Sequence, residues 1–446
     1  MKTLRKKIKN KSAKVVVIGL GYVGLPVACL LAKAGFSVVG INRGKEKVVQ
    51  VNNGISPIKG DEPRLENLLK RVLKAKKLTA TTDYLACEDA DVVLIAVETP
   101  IDLNDKTPHY EAFKSALKSL GKHLKKGALV IIESTIAPGT MEKIVKPTLE
   151  KVSGKETGKD FYLANCPERV TPGRLLLQLE NWPRVVGGMD EKTAQLTEFF
   201  YRQFLKGEVD ATTSTTAEIV KTEENAFRDT MIAQANALAL LCEHFGVDVY
   251  EVVELIKKDP GHTAYLYPGA GVGGHCLPKD GYLKISMVGQ SSKNTRVKHS
   301  VALVKLAREI NDFMPSHTLS LLEEGLKQSK TIKGKPKIAV LGYSYLANSD
   351  DTRNSPTESF LHKAKTKNFD IVVNDPFVEG FKSEIEYTLK DADALVLMVA
   401  HNQYKKLDLK KLKRLMNTPL IIDGRNVFDR KKAQDLGFVY KGIGNI

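Results

Sequence analysis

Val15-Val16-Val17-Ile18-Gly19-Leu20-Gly21-Tyr22-Val23-Gly24 is the stretch on which the fold turns. Four consecutive apolar residues read as a strand buried on both faces, and three glycines at GxGxxG spacing follow it directly. The next residues, 25–34, have helical character. In such a strand, turn and helix, the glycines allow a tight turn and let the backbone approach a pyrophosphate at the helix N-terminus. The segment therefore points to a dinucleotide-binding α/β unit.

Short apolar runs continue outward at 37–41, 92–97, 128–132, 161–164 and 184–186, alternating with helical patterns, as strands of a parallel sheet do. From about Thr215 to His244 the texture changes to one long helical pattern with no Gly or Pro, which reads as a connector and an oligomerisation surface. Strand-like runs resume at 337–341, 370–374, 394–399 and 420–422. The two ends echo each other: Val15-Val16-Val17-Ile18-Gly19 resembles Ile338-Ala339-Val340-Leu341-Gly342, and Ala90-Asp91-Val92-Val93-Leu94 resembles Ala392-Asp393-Ala394-Leu395-Val396. The expected fold class is α/β, with two Rossmann-like doubly wound domains joined by a central helical domain. Boundaries are expected at 1–210, 211–320 and 321–446. Two such sheets suit an enzyme that binds two nucleotides.

At 446 residues the chain has room for about three domains at ~150 residues each. No apolar run reaches the ~18 residues of a membrane span, and the composition carries no low-complexity bias. Lys and Arg exceed Asp and Glu by 68 to 52, and seven of the basic residues crowd into Met1 to Lys14. Neither interleaved aromatics nor a recognition motif accompanies the charge, so this arm reads as a solvated tail and not as a nucleic-acid or membrane surface. Residues 70–77 read as a helix face. With no export signal and five cysteines lacking disulfide or zinc spacing, reduced thiols in the cytoplasm and no metal site are expected.

Where the second strand should end in an acid for the ribose hydroxyls stand Asn42 and Arg43. Asn can hydrogen-bond a 2′-hydroxyl and Arg can meet a 2′-phosphate, so NAD is expected with NADP as the alternative. Pro268-Gly269-Ala270-Gly271-Val272-Gly273-Gly274-His275-Cys276-Leu277-Pro278-Lys279-Asp280 frees backbone amides for an anionic ligand and sets one thiol in a polar loop. Cys276 is thereby the candidate nucleophile, while Cys29 and Cys242 read as buried apolar residues and His275 as a neighbour of the thiol.

These residues resemble the UDP-glucose/GDP-mannose dehydrogenase family from about Lys14 to the C-terminus. The likeness includes Glu133-Ser134-Thr135 with Pro138-Gly139-Thr140, Cys166-Pro167-Glu168-Arg169, and Ala217-Glu218-Ile219-Val220-Lys221 through Asn225 to Arg228. It extends over the Cys276 loop and Asp350-Asp351-Thr352-Arg353 with Ser355-Pro356. Within the family, Cys166 to Val170, Pro172-Gly173-Arg174, Asn181 and Arg184 to Gly188 are most similar to the UDP-N-acetylmannosamine branch.

The resemblance implies a homodimer or dimer-based oligomer that oxidises a UDP-sugar C6 hydroxyl to a carboxylate with NAD, through a thiohemiacetal and a thioester on Cys276, as in polysaccharide biosynthesis. It implies catalytic roles for Lys221 and Asn225 at the oxyanion, for Asp280 and Thr135 at the water, and for Glu168 as base. It implies cofactor contacts at Gly19, Gly21, Tyr22, Val23, Gly24, Asn42, Arg43, Thr99, Thr135 and Arg353. Substrate contacts are implied at Glu168, Arg169, Lys221, Asn225, Arg228, Tyr265, Gly271, Gly273 and Tyr345. The first domain would then hold NAD, the central one the Cys loop and the dimer surface, and the last the UDP-sugar. UDP-N-acetylmannosamine is the expected substrate, UDP-N-acetylglucosamine or UDP-glucose the alternatives, and a silent nucleotide-binding scaffold the reading from another class. The chain departs from the family pattern at Asn42, Glu98, Gly281, Leu346 and Asn354. The last two fall where the C-terminal domain grips phosphates and closes on the cofactor.

Overall fold

The computed structural model describes residues 1–58, 62–102, 105–171, 173–288, 295–329 and 334–445, so Pro172 of the branch motif lies outside the described residues. The chain forms two compact units, Met1–Glu224 with Tyr282–Lys293 and Asn225–Gly281 with Asn294–Ile446. The first carries an eight-stranded sheet of β1 (Lys14–Ile18), β2 (Ser37–Ile41), β3 (Leu78–Thr81), β4 (Val92–Ile95), β5 (Leu129–Ile132), β6 (Tyr162–Asn165), β7 (Arg184–Gly188) and β8 (Val209–Thr213). Its order is β3-β2-β1-β4-β5-β6-β7-β8. The first six strands are parallel, β7 pairs antiparallel with β6, and β8 runs parallel to β7. β4 and β5 are buried throughout, the consequence of helices on both faces.

The second unit carries β9 (Lys337–Leu341), β10 (Asp370–Asn374), β11 (Ala394–Leu397), β12 (Leu420–Asp423) and β13 (Val439–Gly442) in the order β10-β9-β11-β12-β13, all parallel. The internal echo is structural. The Gly19 N–H donates to Ile41 O at 2.7 Å, and Gly342 N–H to Asn374 O at 2.8 Å, each closing the turn after the central strand of its sheet. In both sheets the strand order reverses at that strand, so the crevice for a ligand opens beyond β1 and β9.

The sequence pattern missed β3, β8 and β13. β3 and β8 are short and partly polar, and β8 at the sheet edge leaves three of its five residues exposed, so no apolar run announces it. The boundary expected at 210/211 falls within β8, and that at 320/321 within the helix Thr295–Gln328.

The basic arm is not a solvated tail. Lys2–Lys9 is a helix that buries Leu4 and Ile8 in the core of the first unit, with the Arg5 guanidinium 4.1 Å from the centre of the Phe199 ring. Leu4 and Ile8 stand four apart, on one face, which a reading dominated by charge overlooked.

The long helix runs from Ser214 to Phe245. In the second unit its distal part is joined to the helix Thr295–Gln328 by a buried polar network. Arg308 pairs with Asp229 at 2.7 Å, Asn311 donates to Asp229 Oδ1 at 2.8 Å, and Asn236 donates to Asn311 at 2.9 Å. Arg308 is 1% exposed, so its charge is tolerated only because the carboxylates of Asp229 and Asp312 meet it.

Candidate active site

In the first unit the glycine turn has the shape a dinucleotide requires. Gly19 sits at φ +99°, open only to glycine without strain, and a Cβ on Gly24 would lie 1.8 Å from the Gly19 carbonyl oxygen. A Cβ on Gly21 would meet nothing within 4 Å. Two glycines thus close the turn on itself, and the third leaves an open face at the start of the helix Gly24–Lys33, where an anion is favoured. Tyr22 and Val23 complete the turn, both half-buried.

Asn42 Oδ1 accepts the Leu20 N–H at 3.3 Å, which ties the end of β2 to the turn, and Arg43 beside it is exposed. Thr99 is buried, and its hydroxyl donates to Thr135 O at 2.6 Å, so these two expected cofactor residues are brought together. These groups fit a bound NAD.

The carboxylate of Glu168 is buried and accepts the Val170 N–H at 2.5 Å. Arg169 pairs with Glu224 at 2.6 Å and donates to Pro183 O, so its guanidinium is already engaged. Lys221 is 7% exposed and forms no ion pair among the described residues. A buried ammonium without a carboxylate is costly unless an anion arrives.

Three residues earlier, Glu218 accepts the N–H groups of Gly139 at 2.6 Å and Met141 at 2.8 Å. Burial lifts its carboxyl from 4.5 to about 7, against the backbone donors that favour the charged form. Glu218 thus fastens the loop after Thr135 to the helix bearing Lys221. The sequence alone assigns Glu218 no role, although its i,i+3 spacing from Lys221 is a usable signal.

The second unit holds the thiol. Cys276 is the only one of the five cysteines that is not buried. Burial pushes Cys29, Cys87 and Cys166 up to about 12 and raises Cys242. The expected loop position is refined, because Cys276 immediately precedes the helix Leu277–Val288 and its carbonyl accepts the Asp280 N–H at 2.9 Å.

Asp280 is fully buried. Asn225 Nδ2 donates to its Oδ2 at 2.5 Å, and the Lys279 ammonium, itself 5% exposed, holds Oδ1. Lys279 and Asp280, neighbours in the sequence just beyond the thiol, thus form an ion pair. His275 Nδ1 lies 4.0 Å from Sγ, and burial, with Lys279 and Arg353 nearby, pushes the imidazole down to about 4. A neutral ring is no partner for an ion pair, in keeping with a neighbour's role.

The glycines of the loop are held closely. A Cβ on Gly274 would lie 2.7 Å from the Tyr345 ring, and one on Gly273 2.6 Å from Asn354 O. Arg425, absent from the sequence reading, donates to Gly271 O at 3.2 Å and to Met398 O at 2.9 Å, and makes no ion pair among the described residues. Its position two residues beyond β12, at a strand's carboxyl end, was the signal available.

Arg353, expected at the cofactor, is engaged by Asp351, with Nη2 2.6 Å from Oδ2. Arg228 is exposed, and Tyr265 packs on the apolar core beneath β9 and β11.

Two doubly wound sheets, a dinucleotide turn and an accessible thiol at the head of the helix that buries Asp280 define a dinucleotide-dependent oxidoreductase. The family model of the UDP-glucose/GDP-mannose dehydrogenases matches in three parts: the NAD binding domain at residues 13–205, the central domain at 215–313 and the UDP binding domain at 339–430. The chain is 40% identical over 431 residues to the UDP-N-acetyl-D-mannosamine dehydrogenase of Pyrococcus horikoshii, covering 97% of this chain and 99% of the relative.

The solved structure of UDP-D-ManNAc dehydrogenase from that organism superposes with a TM-score of 0.89 at 39% identity, covering 97% of this chain and 99% of that one. That of the NDP-N-acetyl-D-galactosaminuronic acid dehydrogenase from Methanosarcina mazei Go1 gives 0.86 at 37%, covering 99% and 97%. The chain belongs to the UDP-glucose/GDP-mannose dehydrogenase family and is an NAD-dependent UDP-sugar dehydrogenase. Among the described residues no helix is long and apolar enough to cross a membrane.

Proposed function

We propose that the substrate is UDP-N-acetylmannosamine and that its C6 hydroxyl is oxidised to the carboxylate through a thioester on Cys276. The observation that carries the mechanism is the state of the five thiols, four buried and one accessible at the head of a helix, where N–H groups favour a thiolate. NAD, when bound, would supply the hydride acceptor, one NAD molecule for each of the two hydrides that leave the sugar carbon. Lys221 contributes a buried positive charge for the developing oxyanion, and Asn225 an amide donor held in place by Asp280.

Cys276 Sγ adds to the C6 aldehyde, giving a thiohemiacetal. Loss of the second hydride, with release of the hydroxyl proton, leaves a thioester. Water then adds to the carbonyl and the thiolate departs, with Glu168 as base for the water and Thr135 and Asp280 ordering it. Arg425, a cation at the glycine loop without an ion-pair partner among the described residues, suits the substrate's diphosphate.

The three expected domains, 1–210, 211–320 and 321–446, are proposed as the NAD-binding, central and UDP-sugar-binding parts of an enzyme of the cytoplasm. A homodimer is supported by the second unit, where Phe227, Leu241, Phe245, Leu303, Leu306 and Phe313 are exposed on two helices. Sedimentation at micromolar concentration is expected to give a dimer, and a monomer refutes this part.

The likeness to the UDP-N-acetyl-D-mannosamine dehydrogenase of Pyrococcus horikoshii favours that substrate. NADH formation from UDP-N-acetylmannosamine, UDP-N-acetylglucosamine and UDP-glucose tests it, and preference for UDP-glucose overturns the substrate assignment. Failure with every sugar favours a silent nucleotide-binding scaffold.

A further inference from the structure

We propose that Asn354 is a positioning residue for Cys276, acting through the carbonyl of Gly274. The inference rests on the reading of Cys276 as nucleophile. Asn354 Nδ2 donates to Gly274 O at 3.0 Å, and Gly274 N–H donates to Arg353 O at 2.9 Å, so the loop and the segment after β9 grip each other through a reciprocal pair. Asn354 makes this contact from φ +49°, in the left-handed region that Asn enters more readily than most residues because its short amide bonds locally.

The contact has little slack. The Tyr345 ring lies against Gly274, and the Asn354 carbonyl against Gly273. Only His275 separates Gly274 from Cys276, whose carbonyl is committed to the helix through the Asp280 N–H. A shift of Gly274 therefore reaches the sulfur through the dihedrals of a single intervening residue.

The far end of the loop is anchored separately. Asn236 Oδ1 accepts the Gly269 N–H at 2.9 Å, Gly424 O accepts the Ala270 N–H at 3.1 Å, and Arg425 donates to Gly271 O. On the thiol side the partner of Gly274 N–H is backbone, which leaves Asn354 as the side chain that a substitution can remove while the other anchors stay. The residue that departs from the family pattern thus has a task of its own in this chain, holding the nucleophile.

The experiment compares wild type, Asn354→Asp and Asn354→Gly in the full chain. Asp keeps the shape and tolerance of positive φ but turns a carboxylate toward the carbonyl. Gly accepts the backbone conformation freely and removes the donor. Both variants are expected to lose roughly 10–100-fold in kcat, as displaced reacting atoms do. KM for NAD and for the UDP-sugar should stay within about twofold. The pH profile of Cys276 alkylation by iodoacetamide should shift, read at that residue by mass spectrometry because the other four thiols are buried.

An unchanged kcat and alkylation profile in Asn354→Gly overturns the proposal, even if Asn354→Asp fails to fold. So does a raised KM at unchanged kcat, which would make Asn354 a binding residue. If instead wild-type enzyme alkylated at Cys276 still turns over, the nucleophile reading fails by itself, whatever the variants do.

Discussion

Asn225 and Asp280 are joined by a 2.5 Å hydrogen bond, amide to carboxylate, and the second oxygen of that carboxylate is held by the Lys279 ammonium. Removing the two partners has different consequences. Asp280→Ala leaves a buried ammonium unpaired and should cost about 3–5 kcal/mol of stability. Asn225→Ala leaves the ion pair intact and should cost about 1 kcal/mol, yet lower kcat by about 100–1,000-fold if the amide serves the oxyanion. Urea unfolding and steady-state rates measured together check this. Equal stability losses, or an active Asn225→Ala, contradict it.

Glu218 carries a prediction in pH. Its carboxyl titrates near 7 in the folded protein and at an ordinary 4.5 when unfolded, so the native state holds the proton more tightly. The favourable contribution is therefore complete below about pH 4.5 and is lost as pH rises to about 7, beyond which it changes no further. Glu218→Gln cannot titrate and should lack this decline. Chemical unfolding of both proteins from pH 5 to 8 reads the difference, and parallel curves place the ionisation elsewhere.

Asn42 bears on the choice of cofactor. Its Oδ1 already accepts the Leu20 N–H, a bond that a carboxylate at the same place can preserve while adding a charge that repels a 2′-phosphate. The NAD to NADP ratio of kcat/KM should therefore widen in Asn42→Asp. A ratio equal to that of wild type shows that this side chain does not face the ribose.

Much of this molecule is visible in its sequence because parallel strands are continuous apolar runs and the turn between strand and helix demands glycine. β9 and β10 coincide with their expected limits for that reason. What escaped lies where the signal is weak or distributed. β8 is an edge strand of mixed polarity, and the helix Lys2–Lys9 hides two buried apolar residues among six basic and polar ones. Of the site, Cys276 and the dinucleotide turn were legible because glycine patterns mark them. Glu218, Asn236, Arg425 and the task of Asn354 were not, since each acts on a backbone group far away in sequence, and such a partner leaves no local pattern.

The thiol decides between this chemistry and simple alcohol oxidation. Two hydrides leave one carbon, so complete turnover should give two NADH per sugar with little free aldehyde, the intermediate being held on Cys276. Cys276→Ser replaces a good leaving group by a poor one and should stall at the ester, while Cys276→Ala should remove covalent capture altogether. Because the other four thiols are buried, one equivalent of iodoacetamide should inactivate the wild type and label Cys276. UDP-sugar should slow that reaction. His275→Gln should keep the acid limb of the pH–rate profile, because the imidazole, pushed down to about 4, is neutral throughout the working range. Two NADH per sugar from Cys276→Ala rules out the covalent path, and one NADH with accumulated aldehyde from wild type makes the enzyme an ordinary two-electron dehydrogenase.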